Sequence, residues 1–226
     1  FLARTAFGSS RRVVLASGKT FAGFFAEVRR RTESGRVDLS RVSFTHLDEF
    51  AGVAPFTPGS LSREIRDAFF PDADPRRGAF TPFDATAPES LARHDARVRG
   101  ADLLLLGIGR NGHIAFNEPG TPFGGATHAL RLTSATREQH RAAFAPTEPP
   151  EEALTAGIGT ISSAKEILVA ASGGSKAAAV RAMLTGPIDP SCPASALRLH
   201  DRVTLVLDAE AADDLLPSVG GDRPFA

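Results

Sequence analysis

The stretch DLLLLGIGRNGHIAFNEPG, residues 102–120, concentrates side chains that could carry out chemistry. An apolar run ends in glycines, and four polar residues follow within eight positions: Asn111, His113, Asn117 and Glu118. Ligands of open α/β sheets bind beyond the carboxyl ends of the strands, so a histidine and a glutamate at this place are candidates for acid–base catalysis. A polar turn that holds one hydrogen-bonded histidine is the simpler alternative.

Three glycines of this stretch, Gly107, Gly109 and Gly112, spell the G-x-G-x-x-G fingerprint of dinucleotide-binding loops. That fingerprint opens a long helix and is followed about 20 residues later by an acid that binds the ribose. Here a Pro-Gly pair at 119–120 interrupts any long helix, and Leu132 stands where the acid is required. We therefore expect neither nicotinamide nor flavin binding.

Composition restricts the class of protein. The 226 residues suffice for one large α/β domain, and the 26 basic and 26 acidic residues form no basic block typical of nucleic-acid binding. No apolar run approaches the roughly 20 residues of a membrane span. The single cysteine, Cys192, fits a reducing compartment, so we expect a cytoplasmic protein. A removed signal peptide stays open as an alternative, because the chain starts with Phe1.

Strand and helix patterns alternate along the chain. Apolar runs predict strands at 12–16, 41–47, 102–106, 166–171 and 202–207. Helical patterns lie between them at 20–31, 60–70, 89–98, 134–144 and 175–184. This alternation predicts a three-layer, doubly wound α/β fold with a mostly parallel, Rossmann-like sheet. We expect one domain over residues 1–226, with a mobile lid around 131–150.

Two glycine-containing turns are candidate anion sites. The segment SGKT at 17–20 leaves a predicted strand and enters a helix, so its amides, hydroxyls and ammonium group could bind phosphate. Val13 occupies the place of the first P-loop glycine, which argues against nucleotide hydrolysis. The turn 172–176 repeats the arrangement with Lys176, and we expect the two turns to share one anionic ligand. Ordinary helix caps and solvated lysines are the simpler alternative.

Asp48 and Glu49 close the second predicted strand. Adjacent residues of a strand point to opposite faces, so we expect only one of the two carboxylates to face a cleft. A carboxylate there could move a proton between neighbouring carbons of a sugar, and positioned acid–base groups contribute about 10²- to 10⁴-fold in rate. An acidic pair is also a common feature of helices and turns.

Two other kinds of site find no support in the sequence. The chain has one cysteine and no H-E-x-x-H motif, and His128, His140 and His200 have no partner at metal-ligand spacing, so we predict no metal site. No G-x-S-x-G segment is present, so the nucleophile turn of serine hydrolases is missing.

In their order and spacing, these motifs resemble the glucosamine-6-phosphate deaminase (isomerase) family. The similar segments are LASGKT (15–20), HLDEFAG (46–52), GIGRNGHIAFNEPG (107–120), ALTAGIGTI (153–161), GSK (174–176) and PASALRLH (193–200). They cover nearly the whole chain, and the central motif is highly specific. The resemblance implies conversion of glucosamine 6-phosphate and water to fructose 6-phosphate and ammonia. It implies a phosphosugar as partner, no cofactor, no nucleic acid and no membrane.

The resemblance also implies residue roles. Asp48 would move the proton between C2 and C1, and His113 would open the pyranose ring, oriented by Glu118 and Asn111. The glycines of the central motif would make room for the sugar. The phosphate-binding residues would be Ser17, Gly18, Lys19, Thr20, Lys176 and Arg141.

Several positions depart from the family pattern. Asn111 stands where some members have aspartate, Lys19 replaces a small hydroxyl residue, and the phosphate-binding arginine of the family aligns with Ala142. Arg141 comes one residue earlier, which rotates it by about 100° on a helix. Loss of a charged hydrogen bond costs roughly 1.5–3 kcal/mol, about 10- to 100-fold in affinity, and we hypothesise that Lys19 offsets this loss.

Other functions stay open. The altered phosphate contacts motivate galactosamine 6-phosphate or another phosphosugar as substrate. The lactonases that hydrolyse 6-phosphogluconolactone resemble this chain in the phosphate loops, but their histidine motif lacks the continuation Asn117-Glu118. Sugar-phosphate-sensing domains of transcriptional regulators share this kind of fold, but they carry a separate DNA-binding segment. The protein could be a monomer or a homo-oligomer.

Overall fold

The computed structural model describes residues 11–72, 74–87 and 89–215. The strands are β1 (Arg11–Leu15), β2 (Val42–His46), β3 (Asp48–Phe50), β4 (Ala79–Phe80), β5 (Leu103–Gly107), β6 (His128–Arg131), β7 (Glu152–Thr155), β8 (Ile167–Ala171) and β9 (Val203–Leu207). The α-helices are α1 (Ala22–Glu33), α2 (Leu61–Phe69), α3 (Ser90–Val98), α4 (Ser134–Phe144), α5 (Ile158–Ile161) and α6 (Ala177–Thr185). Short 3₁₀ helices cover Lys19–Phe21, Pro75–Arg77, Gly174–Lys176, Pro193–Leu199 and Asp213–Leu215.

Six strands form one parallel sheet in the order β4-β2-β1-β5-β8-β9. The central strand β5 is an uninterrupted leucine run, and Leu103–Leu106 are each at most 1% exposed. Such a run is typical of a parallel strand covered on both faces. The predicted α/β fold with a mostly parallel sheet is confirmed, and each of the five predicted strands begins and ends within one residue of the structure.

The predicted helices begin and end within two residues of α1, α2, α3, α4 and α6. Side-chain caps explain two of their starts: Ser60 accepts a hydrogen bond from the Arg63 N–H before α2, and Thr133 accepts one from the Thr136 N–H before α4. No helix among the described residues is long and apolar enough to cross a lipid bilayer. The predicted domain extends beyond the described ranges, so its bounds stay a prediction.

A second, antiparallel sheet of three strands, β3-β7-β6, adjoins the first. In it Asp48 is paired with Thr155. The expectation that Asp48 and Glu49 close the second strand is therefore wrong, because β2 ends at His46 and the chain changes sheets at Leu47. The four residues of β6 and of β7 and the three of β3 are too few to produce a clear alternating pattern.

Aromatic side chains join the helices to the sheets. Phe25 of α1 stacks on Phe69 of α2 at a ring distance of 5.3 Å, and Phe44 of β2 meets Phe69 edge-on at 5.5 Å. Phe144, the last residue of α4, packs edge-on against Phe50 of β3 at 5.0 Å. The helix at the predicted lid is thus anchored, at its C-terminal end, on the small sheet.

Gly78 offers a test of the packing between β2 and β4. Its φ is +78°, and a Cβ atom would lie 2.2 Å from the Val42 carbonyl oxygen and 2.6 Å from that of Leu39. We expect Gly78→Ala to lower the free energy of unfolding by more than about 3 kcal/mol, measured by chemical denaturation. Gly35→Ala is the control, because Gly35 has a similar φ of +71° with open space around it and should lose only about 1 kcal/mol. Equal losses would show that the carbonyl oxygens do not restrict this position.

Candidate active site

Asn111 links His113 to Glu118. Nδ1 of His113 lies 2.8 Å from Oδ1 of Asn111, and the backbone N–H of His113 donates to the same oxygen at 3.2 Å. Nδ2 of Asn111 donates to Oε2 of Glu118 at 2.7 Å. The three predicted residues of the central motif are therefore brought together as one hydrogen-bonded chain.

This chain determines the tautomer of His113. A backbone N–H can only donate and a carboxylate can only accept, so the amide of Asn111 must present its oxygen to His113 and its nitrogen to Glu118. Nδ1 of His113 must then carry the proton, which leaves a lone pair on Nε2. Burial holds the pKa of His113 below its usual value; the charge of Glu118 opposes this effect and that of Lys176 adds to it. The ring is a neutral imidazole that can accept a proton at Nε2.

The glycines of the central motif accommodate the protein's own side chains. A Cβ atom on Gly109 would lie 2.2 Å from the ring of His113, and one on Gly112 would lie 2.7 Å from Sγ of Cys192. Gly112 also has a φ of +81°, which disfavours other residues. For these two glycines, the expectation that they make room for a sugar is wrong. They allow the chain to turn closely enough to place the histidine.

Asp48 is a buried carboxyl group at the start of β3, with 6% of its surface exposed. Burial raises its pKa to about 8, and the negative charges of Glu49 and Glu64 contribute to the rise. Such a shift is typical of groups that act as general bases near neutral pH.

Glu49, the neighbour of Asp48, has a structural role. Its carboxylate accepts hydrogen bonds of 3.0 Å from the backbone N–H groups of Phe50, Leu61 and Ser62. Two of these donors belong to the first turn of α2, where a helix has unpaired N–H groups. Burial raises the pKa of Glu49 and these hydrogen bonds oppose the rise. Glu49 therefore holds α2 in place, and Asp48 is the carboxyl group of the pair that is available for chemistry.

Asp48 and the His113 motif lie on connected segments. Leu47 accepts a hydrogen bond from the Ala156 N–H at 2.9 Å, and the carbonyl oxygen of Ala156 accepts one from Nδ2 of Asn117 at 2.9 Å. The rings of Phe50 and Phe116 pack at 5.7 Å. The candidate base and the candidate ring-opening group therefore share one rigid framework.

Three basic side chains follow neighbouring strands of the parallel sheet. Lys19 follows β1, Arg110 follows β5 and Lys176 follows β8, and these strands are adjacent in the order β1-β5-β8. Burial lowers the pKa of Lys176 and the charge of Arg110 lowers it further, so the two cations are near one another. Lys19 and Arg110 are exposed, and none of the three pairs with a carboxylate of the described residues. Together they make this edge of the sheet attractive to an anion.

The glycine turn at 172–176 is not the anion site that the sequence predicts. Its amides bind carboxylates of the protein: Gly173 donates to Asp208 at 2.9 Å, and Gly174 donates to Glu210 at 3.4 Å. The hydroxyl of Ser172 also donates to Asp208, at 2.6 Å. The sequence predicts that the two turns share one external anion. For the amides of this turn the prediction is wrong, because they already bind carboxylates of the protein. Its contribution to the cleft is the side chain of Lys176.

Arg141, on α4, forms ion pairs with two glutamates. Its Nε donates to Glu138 at 2.8 Å and its Nη1 to Glu148, and the side chain is half exposed. Ala142, which aligns with the phosphate-binding arginine of the family that the chain resembles, is exposed, and its methyl side chain cannot donate a hydrogen bond. None of the described contacts places Arg141 at the cleft. An anion bound there would therefore interact with the cations that follow the strands.

Sequence reasoning missed two charged residues of the cleft. Arg110 lies inside the central motif, and its position directly after a buried strand is a signal that could have identified it. Glu64 lies on α2 and accepts a hydrogen bond from the Gly18 N–H at 2.8 Å. No local pattern could have indicated that contact, because it depends on how α2 packs beside β1.

Most of the chain is similar to proteins of one family. The family model described as "Glucosamine-6-phosphate isomerases/6-phosphogluconolactonase" matches residues 3–206. The chain belongs to this family. Among its relatives, the glucosamine-6-phosphate deaminase of Exiguobacterium sibiricum is 44% identical over 203 residues, 88% of this chain and 79% of that one. The corresponding enzyme of Bacillus velezensis is 42% identical, over 88% of this chain and 85% of its own.

Solved structures of the family share the fold. A monomeric glucosamine-6-phosphate deaminase matches with a TM-score of 0.82 and 39% identity, over 90% of this chain and 88% of that one. The 6-phosphogluconolactonase of Trypanosoma brucei matches with a TM-score of 0.71 over 92% of this chain and 87% of that one, but at 19% identity. The family resemblance predicted from the central motif is confirmed.

The amide at position 111 should keep the neighbouring histidine neutral. Asn111→Asp would place a carboxylate against Nδ1 of His113, and an opposite charge at hydrogen-bond distance favours the imidazolium form. We expect the pKa of His113 to rise in the variant, measured by NMR titration of the ring protons, with His113→Gln used for assignment. The titration curves of the other histidines should superimpose in the two proteins. An unchanged or lower pKa of His113 would contradict the assigned hydrogen-bond chain.

Proposed function

We propose that the protein is a glucosamine-6-phosphate deaminase, which converts glucosamine 6-phosphate and water to fructose 6-phosphate and ammonia. The observation that carries this proposal is the combination of a neutral His113 with a free Nε2 and a buried Asp48 with a pKa of about 8 on one framework. An aldose–ketose isomerisation requires a ring-opening group and a base for carbon-bound protons. The names of the relatives at 37–44% identity support the same reaction.

His113 would open the sugar ring. In the cyclic substrate, Nε2 accepts the proton of the O1 hydroxyl and returns a proton to O5 as the bond between C1 and O5 breaks. One group can perform both steps only if it is neutral at the start, which burial of the ring favours by lowering its pKa, and the hydrogen bond to Asn111 leaves Nε2 as the accepting nitrogen. Asn111 and Glu118 orient the ring of His113 and stabilise its transient positive charge.

Asp48 would perform the isomerisation. Its carboxylate removes the proton from C2 of the open-chain aldehyde. The electron pair forms the C1–C2 double bond while the π pair of the C1–O1 carbonyl moves to O1, which takes a proton from the C2 ammonium group. Asp48 then returns its proton to C1 while the nitrogen lone pair forms the C2–N double bond, which leaves a protonated C2 imine, to which water adds before ammonia departs. Electrons and atoms balance without a redox partner. The high pKa of Asp48 makes it a stronger base than an exposed aspartate, and its burial keeps competing water away.

The phosphate would lie over the carboxyl ends of β1, β5 and β8. Lys19, Lys176 and Arg110 provide positive charge there, and Ser17 and Thr20 flank the turn that precedes α1. This arrangement would compensate for Ala142 and for the ion pairs that hold Arg141. The predicted lid at 131–150 contains α4, and its closure over the substrate stays a proposal.

The first test concerns Asp48. Because a base must be deprotonated, kcat/KM for glucosamine 6-phosphate should rise as the pH increases through about 8. Asp48→Asn should lower kcat about 10²-fold or more in an assay of released ammonia. Asp67→Asn is the control, because Asp67 is an exposed carboxylate on α2 that pairs with Arg63 and Arg66. Full activity of the Asp48 variant would exclude this residue as the base.

The second test concerns the phosphate. Lys176→Met should raise KM for glucosamine 6-phosphate about 10- to 100-fold with a smaller effect on kcat, because the interaction is with a part of the substrate that does not react. Lys165→Met removes a lysine that pairs with Asp102 at 2.8 Å, before β8 rather than after it. Equal changes in KM for the two variants would contradict a direct contact between Lys176 and the phosphate.

A further inference from the structure

Glu64 places a negative charge on the turn that is proposed to bind phosphate. The residue lies on α2, and its Oε1 accepts the backbone N–H of Gly18 at 2.8 Å across 46 positions of the chain. An N–H that points at a carboxylate cannot serve a phosphate oxygen at the same time. Two anions at this distance also repel one another. The Gly18 amide of this turn is therefore occupied by an internal anion before any ligand arrives.

The hydrogen bond of Glu64 differs from those of the second glycine turn. Asp208 accepts hydrogen bonds from Ser172, Gly173 and Ala211, and such a set stabilises a turn more than a single hydrogen bond does. Glu64 is exposed, and the Gly18 N–H is its hydrogen-bond donor among the described residues. Displacing an exposed carboxylate from one N–H costs far less free energy than breaking the several hydrogen bonds that Asp208 accepts.

Glu64 also faces the other elements of the cleft. Its charge contributes to the raised pKa of Asp48 on β3, and it acts on His140 of α4, whose pKa is lowered by burial and raised by Glu64. The ring of His140 packs edge-on against Phe50 at 5.2 Å, so this histidine lies on the side of α4 that faces the small sheet. Glu64 thus stands between the turn, the candidate base and the predicted lid.

We propose that Glu64 limits the affinity of the site for phosphate, as an internal carboxylate that competes with the phosphate of the substrate for the Gly18 N–H. The inference rests on the proposed function for the identity of that anion. While Glu64 holds the amide, the phosphate depends on the side chains of Lys19, Arg110 and Lys176. When a phosphate displaces Glu64, it gains the amide as well. Affinity for dianions is therefore lower than the three cations alone would give.

Binding of inorganic phosphate, measured by isothermal titration calorimetry, tests the proposal without requiring turnover. Glu64→Gln keeps an oxygen that can accept the Gly18 N–H but removes the charge, so the variant should bind phosphate about tenfold more tightly than the unaltered protein. Asp67→Asn, which removes a charge from the same helix, should bind phosphate as the unaltered protein does. Glu64→Ala should also bind phosphate more tightly, since both the charge and the competing acceptor are absent.

Two results would overturn the proposal. If Glu64→Gln binds phosphate within twofold of the unaltered protein and Glu64→Ala binds it more weakly, Glu64 only positions the turn. If no variant binds phosphate at all, the turn is not an anion site. The ammonia-release assay separates these results from failure of the proposed function, because a protein without deaminase activity would still show the predicted order of phosphate affinities.

Discussion

The parallel pairing of the six-stranded sheet is the constraint on which the cleft depends. Because β1, β5 and β8 are adjacent and run in one direction, the residues that follow them emerge at the same edge. Lys19, Arg110 and Lys176 are distant in the sequence and meet only for this reason. The leucines of β5, buried on both faces of the sheet, hold this central strand in the core. Hydrophobic burial in the sheet therefore positions the charges of the site.

Five of the six strands of the large sheet and the helices between them were predicted closely, because apolar runs and helical periodicity mark them; the two-residue strand β4 was not predicted. The prediction failed for the small sheet, where β3, β6 and β7 are three or four residues long and carry polar side chains such as Glu49 and His128. Pairing between these strands depends on contacts distant in sequence, for example Asp48 with Thr155. A pattern within one segment cannot contain that information. As a result, Asp48 was predicted to lie at the end of a parallel strand, whereas it lies at the start of an antiparallel strand.

The chemistry of the site was predictable where it lies within one loop and unpredictable where it crosses between elements. Residues 111–118 lie within one loop, so their spacing marked Asn111, His113 and Glu118 as candidates, and the family resemblance implied that Glu118 and Asn111 orient the histidine, in agreement with the hydrogen-bonded chain of the structure. The anion contacts depend on packing. Lysine content and glycine spacing could not reveal that Asp208 fills the second turn or that Glu64 reaches the first.

Charge is distributed unevenly across the cleft, in a way that suits an amino-sugar phosphate. Glu64 makes one side negative, Asp48 adds a negative charge there once the pH exceeds its pKa of about 8, and His46 adds no positive charge, because burial and the nearby His94 lower its pKa to about 3. The cations lie on the other side, after β5 and β8. In the proposed substrate the amino group is on C2 and the phosphate on C6, so a molecule oriented with C2 at Asp48 would satisfy both sides. Glu64 belongs to the negative side but touches the phosphate turn. Glu64 therefore contributes to the raised pKa of Asp48 and, in the proposed site, lowers the affinity for phosphate. A change at Glu64 that strengthens phosphate binding would thus also make Asp48 a weaker base.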